Sequence, residues 1–306
     1  MSHKARSSPH IGLALGGGAS RGWAHIGVIK ALSELDIHPN VVCGCSIGAI
    51  VGASYVSGNL DNLERWVCSL NKVGLARFIE LNLSLNGFVD AEKLHGFFLQ
   101  CVCREEQSIE DITAKFASVA TDLETGREVW FTRGLLIDAV WASISLPGLF
   151  PSFQGQGRWL VDGGLVNPVP VSVCRALGAD IVISVNLNGD IVGKHFIQER
   201  DKQEPESENI LGMFSRAVNK YSPSISMGEK GRTSPPGLFD AIAGSINIAQ
   251  DRITRSRLAG DPPDIMLSPK LSHIGLMEFY RAKEAMQEGR ECVMRMLPEI
   301  RHVLGK

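Results

Sequence analysis

A chain of 306 residues is long enough for one domain with a deep apolar core. With 44% apolar and 21% charged residues, its composition is that of an ordinary globular protein, which excludes disordered, collagen-like and small disulfide-framed classes. Thirty-one basic against 33 acidic side chains leave a net charge of −2, so no polycationic surface points to nucleic acid as a partner.

The stretch from Met1 to His10 is polar and basic with no apolar segment behind it, unlike a secretory signal. No apolar run approaches the roughly 20 residues that span a bilayer. The seven cysteines are odd in number and none stands in C-x-x-C spacing. That pattern reads as reduced thiols in a cytoplasmic protein, with no metal or cofactor expected.

Ile11-Gly12-Leu13-Ala14-Leu15 is a short buried-strand pattern that runs into Gly16-Gly17-Gly18. A helical period follows, with Ile26, Ile29, Ala31, Leu32 and Leu35 on one face. Val41-Val42-Cys43 reads as a second strand, closed by Gly44-Cys45-Ser46-Ile47-Gly48. A helix from Ile47 to about Ser57 comes next, with Gly58 placed to end it. Asp61 to Glu64 has the D-x-x-E form of a capping box, ahead of a buried stripe at Leu63, Trp66, Val67 and Leu70.

Alternating strands and helices with short links imply parallel strands covered on both faces. Phe116 to Ala120 and Glu128 to Phe131 flank Glu124-Thr125-Gly126-Arg127 as a hairpin, so the sheet is expected to be mixed. Trp159-Leu160-Val161 and Ile181 to Val185 are further strands. Residues 190–236 are polar and rich in Ser, Gly, Pro and Lys, and read as an insertion into a single domain spanning 1–306, with one short helix near 210–218. A lid, a membrane-contacting segment and a functionless loop are all open for it. An amphipathic helix from Leu238 to about Leu258, a strand at Asp264 to Leu267 and a last helix from about Met277 to Leu297 complete the pattern.

Gly44-x-Ser46-x-Gly48 has the form of a nucleophile elbow, in which a strand runs straight into a serine on a tight turn. Gly18-Ala19-Ser20-Arg21-Gly22 has the same form, so context must separate them. Ser46 follows an apolar run and precedes small residues, Ala49, Gly52 and Ala53, that let a helix lie close to the strand. Ser20 follows a glycine triplet, which is poorly suited to hold a strained turn. Ser46 is therefore the expected nucleophile.

The loop Gly16-Gly17-Gly18-Ala19-Ser20-Arg21-Gly22 opens a helix, where bare N–H groups suit an anion. A dinucleotide fingerprint fails because Arg21 stands where its third glycine belongs, and a P-loop fails for want of Gly-Lys-Ser/Thr. An oxyanion hole formed by the amides of Gly17, Gly18 and Ala19 remains, beside a plain tight turn. Arg21 is open between orienting the loop, meeting a phosphate and a solvated surface role. For a base, His195 lies in the polar insertion and His273 in a loop, and His25 reads as packed or solvent-facing. Asp162, in Asp162-Gly163-Gly164 at the end of an apolar run, would share the edge of a parallel sheet with Ser46. An ordinary Asp-Gly turn is equally compatible with those residues.

These motifs together resemble the patatin-like phospholipase family: a G-x-G-x-x-[KR]-G loop, a G-x-S-x-G elbow and a D-G-[GA] acid. Residues 12–55 are similar to its bacterial single-domain members and to the catalytic domain of neuropathy target esterase. Ala142 to Pro151 and Asn167-Pro168-Val169-Pro170 fit the family's segments before and after the acid. The resemblance spans about 11–187 and implies a three-layer α/β fold with a mostly parallel central sheet and helices on both faces. It also implies a Ser46–Asp162 dyad without histidine and hydrolysis of lipid esters through an acyl-enzyme, without metal or cofactor. Gly16, Gly22, Gly44, Gly48, Gly163 and Gly164 would be its motif glycines. A lipid ester substrate and transient contact with a membrane surface follow as expectations. An acyltransferase, or a lipid-binding or regulatory protein with little turnover, is the alternative.

Overall fold

Short runs of small and β-branched apolar residues build the sheet, and the glycines that close them let helices turn back across it. The computed structural model describes residues 9–78, 91–147, 149–155, 157–190 and 238–306. Apart from Asp190, the expected insertion at 190–236, with its short helix near 210–218 and His195, lies outside the described residues.

The strands are β1 (Ile11–Leu15), β2 (Val41–Cys45), β3 (Lys115–Asp122), β4 (Glu128–Phe131), β5 (Phe153–Gly155), β6 (Arg158–Asp162), β7 (Ile181–Val185) and β8 (Ile265–Leu267). They form one eight-stranded sheet with the hydrogen-bonded order β5-β6-β3-β2-β1-β7-β8, and β4 also pairs with β3. Strands β1, β2, β3, β7 and β8 are mutually parallel, whereas β4 and β6 run antiparallel to β3 and β5 antiparallel to β6. The sheet is mixed and mostly parallel.

The described helices are α1 (Ala24–Glu34), α2 (Ile47–Val56), α3 (Leu60–Ser69), α4 (Lys72–Phe78), α5 (Ala91–Cys101), α6 (Leu136–Ile144), α7 (Val171–Ala176), α8 (Leu238–Gly260), α9 (Ala282–Arg295) and α10 (Leu297–Leu304). Alternation along β1 sends Leu13 and Leu15 into the larger core with residues of α1, α2, α6 and α9. Ala14 joins Val41, Cys43 and Val119 on the other face, under Val171, Val173 and Cys174 of α7. All seven cysteines are free. Among the described residues, no helix is long and apolar enough to cross a membrane.

One local expectation fails and another is incomplete. The capping box does not form: α3 starts at Leu60 behind Asn59, without a side-chain cap. The helix starts one residue before Asp61, so Asp61 and Glu64 lie inside it, where they meet Lys30 on α1. The helix expected from about Met277 to Leu297 begins only at Ala282, after a short turn at Phe279–Arg281, and ends close to the expected point. An unexpected helix α10 follows it, with Pro298 in its first turn, where a missing N–H is tolerated.

The register around β3 brings two distant strand ends together. Residues 115–119 of β3 pair with β2, residues 118–121 with β4, and residues 120–122 with β6. Ser118 and Val119 pair with both β2 and β4, which must therefore lie on opposite edges of β3. By the same reasoning β6 lies opposite β4, on the edge of β2. Strands β2 and β6 thus occupy one edge of β3 from opposite directions, and their C-terminal ends meet: Cys45 pairs with Val119 and Asp162 with Ala120.

Candidate active site

Ser46 stands where β2 stops. Its backbone is at φ 54°, ψ −126°, a positive φ that an L side chain rarely adopts and that costs of order 1–3 kcal/mol. The surroundings hold it there. Its N–H donates to Ser143 Oγ at 2.9 Å, and that hydroxyl donates to Val119 O at 2.6 Å. Its carbonyl accepts from Ala49 N at 2.8 Å, the first turn of α2. The bend throws the side chain out of line with β2, and Ser46 Oγ donates to Asp162 Oδ2 at 2.5 Å.

Asp162 reaches this edge by a route other than the expected one. It does not end a strand parallel to β2. It ends an antiparallel strand that approaches from beyond the sheet edge and stops where β2 would have continued. Its N–H donates to Ser145 O at 3.0 Å and its carbonyl accepts from Thr121 Oγ1 at 2.9 Å. Asp162 Oδ1 accepts from Gly164 N at 2.7 Å. The residue is fully buried, and burial pushes its carboxyl up to about 6, against the pull of the Ser46 and Gly164 hydrogen bonds. The glycines after it are hemmed in by groups other than Ser46. A Cβ on Gly163 would stand 2.2 Å from Val119 O, and one on Gly164 would stand 2.4 Å from Gln250 Nε2.

The glycine loop lies against the same point, since a Cβ on Gly17 would be 3.5 Å from Ser46 Cβ. Gly16 N donates to Val185 O and Gly17 N to Pro168 O, at 3.1 and 3.0 Å. The Gly17 amide is therefore engaged by a backbone carbonyl, which removes it from the expected trio of donors. The N–H groups of Gly18 and Ala19 have no partner among the described residues. Gly22 closes the loop against Ile47, whose Cγ1 lies 2.1 Å from where a Cβ would stand.

The second serine of G-x-S-x-G form has a different role. Ser20 Oγ donates to Gly275 O at 2.7 Å and Ser20 N to Leu276 O at 3.2 Å. Arg21 is no surface arginine: it is fully buried, donating from Nε to Ile274 O at 3.0 Å and from Nη1 to Asn188 Oδ1 at 3.5 Å. Burial pulls its guanidinium down to about 10. The segment from Ile274 to Phe279 thus clamps the start of the first helix, with Trp23 Nε1 donating to Phe279 O as well.

His25 was legible only as a helix residue. It is fully buried with Nε2 2.8 Å from Gly16 O, which fixes the neutral Nε2–H tautomer as donor. Burial lowers its pKa to about 4. Among the described residues no histidine hydrogen-bonds to Ser46 or Asp162; His273 pairs with Glu284. Asn188 and Gln250 carried no motif that marked them in the sequence; Ser143 lay within the segment Ala142 to Pro151 noted for the resemblance, but with no role assigned to it.

The model of the patatin-like phospholipase family matches residues 13–175. An NTE family protein of Mycobacterium bovis is 31% identical over 96% of this chain and 93% of its own length. Lysophospholipase NTE1 of Pyricularia oryzae is 28% identical over 95% of this chain, which spans 18% of that protein. VipD from Legionella pneumophila aligns over 95% of this chain and 67% of its own, with 12% identity and a TM-score of 0.46. A family match over more than half of the chain, together with a full-length relative at that identity, places the protein in the patatin-like phospholipase family.

Proposed function

We propose that the protein hydrolyses acyl esters of lipids, of the phospholipid or lysophospholipid type, through an acyl-enzyme on Ser46. The contact between Ser46 Oγ and Asp162 Oδ2 at 2.5 Å, with the carboxylate shut away from water, carries this reading. Family membership supports it, as does the lysophospholipase name of the fungal relatives. Asp162 takes the Ser46 proton as Oγ attacks the ester carbonyl. The amides of Gly18 and Ala19 receive the charge that grows on the carbonyl oxygen. Asp162 then returns the proton to the departing alcohol, leaving the acyl group on Oγ. In the second half Asp162 takes a proton from water, the hydroxide adds to the acyl carbonyl, and Ser46 leaves with the proton restored.

A free aspartate is too weak a base for this work. A carboxyl near 6 is ionised at neutral pH and lies closer to the working pH, where proton transfer is most effective. Because the substrates are amphiphiles, the protein meets a lipid surface at least transiently.

A fluorophosphonate probe is expected to label Ser46 and a lysophospholipid panel to release fatty acid, with both signals lost in Ser46→Ala. Labelling that survives that substitution would overturn the assignment. Lipid affinity without ester turnover would favour a binding protein instead.

A further inference from the structure

We propose that Asn188 is a positioning residue that aims the Gly18 amide into the site, an inference that rests on the acyl-hydrolase reading above. A peptide unit is planar, so whatever holds its carbonyl oxygen also sets the direction of the N–H on its far side. Three consecutive carbonyls of the glycine loop are held in this way. His25 Nε2 bonds Gly16 O, which sets the Gly17 amide against Pro168 O. Arg21 N bonds Gly18 O at 3.2 Å and so sets the Ala19 amide. The carbonyl between them, Gly17 O, accepts from Asn188 Nδ2 at 3.3 Å, and the N–H opposite it is that of Gly18.

Asn188 is itself locked. Arg21 can only donate, so the amide atom facing its Nη1 is Oδ1, and the nitrogen must face Gly17 O. The same Nδ2 donates to Gln250 Oε1 on α8 at 3.1 Å. Asn188 N donates to Asn186 Oδ1 at 3.1 Å, and Asn186 N to Leu267 O at the end of β8 at 2.9 Å. Leu187 packs on Gly18, with its Cβ 2.8 Å from where a Cβ on Gly18 would stand. Asn188 is 2% exposed, so water does not replace these contacts. Gln250 also packs on Gly164, whose N–H holds Asp162 Oδ1. One carboxamide pair therefore ties the loop of the developing oxyanion to the loop of the base. Both residues lie beyond residue 175, outside the stretch that the family match covers.

Asn188→Asp tests this, because it keeps the shape of the side chain and replaces the donor by a charged acceptor. The new carboxylate faces Gly17 O, which it repels, and Arg21, which has no carboxylate partner among the described residues. Activity and stability should then part. With a monomeric p-nitrophenyl acyl ester, kcat is expected to fall about tenfold or more with KM within about twofold, while Tm stays at or above that of the wild type. A residue that merely held the fold would lose both together. Gln250→Ala is expected to lower kcat more weakly, and to add little in the Asn188→Asp background. Asn188→Asp with kcat within twofold of the wild type, or Gln250→Ala with fully independent effects, would overturn the inference alone. A wild-type protein that neither turns over the ester nor reacts with fluorophosphonate would overturn the reading of the site, and this inference with it.

Discussion

Replacing Asp162 by Asn is expected to lower kcat by roughly a thousandfold or more while making the folded protein more stable at neutral pH. Asn preserves the size of the side chain and can still accept from Gly164 N and meet Ser46 Oγ, but it cannot take the serine proton. The stability gain follows from the raised pKa. Folding moves the carboxyl from 3.8 to about 6, so between those values the folded state holds a proton that the unfolded state has lost. The group's contribution to stability is fully present below pH 3.8 and falls away as pH rises through about 6. At pH 7 the buried carboxylate costs about 3 kcal/mol. Removing that charge returns it.

His25 works in the opposite sense. Its pKa drops from 6.5 unfolded to about 4 folded, so in that window the unfolded state binds more protons and stability rises with pH. The histidine contribution is lost as pH falls through about 4 and also amounts to about 3 kcal/mol. In the wild type the two slopes nearly cancel between about pH 4 and 6. Asp162→Asn should uncover the histidine slope, giving a protein that is more stable than the wild type at about pH 8 and loses that advantage near pH 4. Thermal unfolding of both proteins across that range, beside initial rates, checks each part. An Asp162→Asn protein that keeps a tenth of the activity, or that is less stable than the wild type at about pH 8, would contradict the account. Activity of the wild type should fall on the acid side with a midpoint near pH 6.

Gly48→Ala carries a large expected cost in stability, about 4 kcal/mol or more. A Cβ there would stand 2.2 Å from Leu15 O and 2.7 Å from Leu15 C, both backbone atoms of β1 that cannot rotate aside. Gly44 is as confined, with its Cβ position 2.4 Å from Gly48 O. These two glycines let the first turn of α2 lie directly on the end of the sheet, which in turn holds Ser46 in its strained backbone. Gly52→Ala, one turn on, is the contrast. There a Cβ would meet Val42 Cγ1 at 3.2 Å and Leu15 Cδ1 at 3.4 Å, side-chain atoms that can give by a few tenths of an ångström. It also gains helix propensity, so it should unfold within about 1 kcal/mol of the wild type. Urea unfolding of the two variants separates them. Equal stability of Gly48→Ala and the wild type would mean that α2 does not sit as close to β1 as described.

The features that could be read from the chain alone were local and repetitive. Strands β1, β2 and β7 are short apolar runs cut off by glycine or polar residues, and α2 is a run of small residues behind a serine. Such features arise from backbone sterics and from periodic burial, both of which act over a few neighbouring residues. The β3–β4 hairpin was legible for the same reason, through its turn residues. Ser46 could be named because an elbow needs particular residues at particular spacings; Asp162, equally compatible with an ordinary Asp-Gly turn, could be named only through the family resemblance. How they meet was settled by the folded sheet. Asp162 arrives on an antiparallel strand laid end to end with β2 along β3, a register that no spacing encodes. Packing likewise set Asp61 and Glu64 against Lys30, committed the Gly17 amide to Pro168, and buried Arg21 and His25 against the loop that they orient. Asn188 and Gln250 stand 62 residues apart and carry no pattern, since a hydrogen bond across that distance depends on where two elements come to rest, and only the packed sheet sets that.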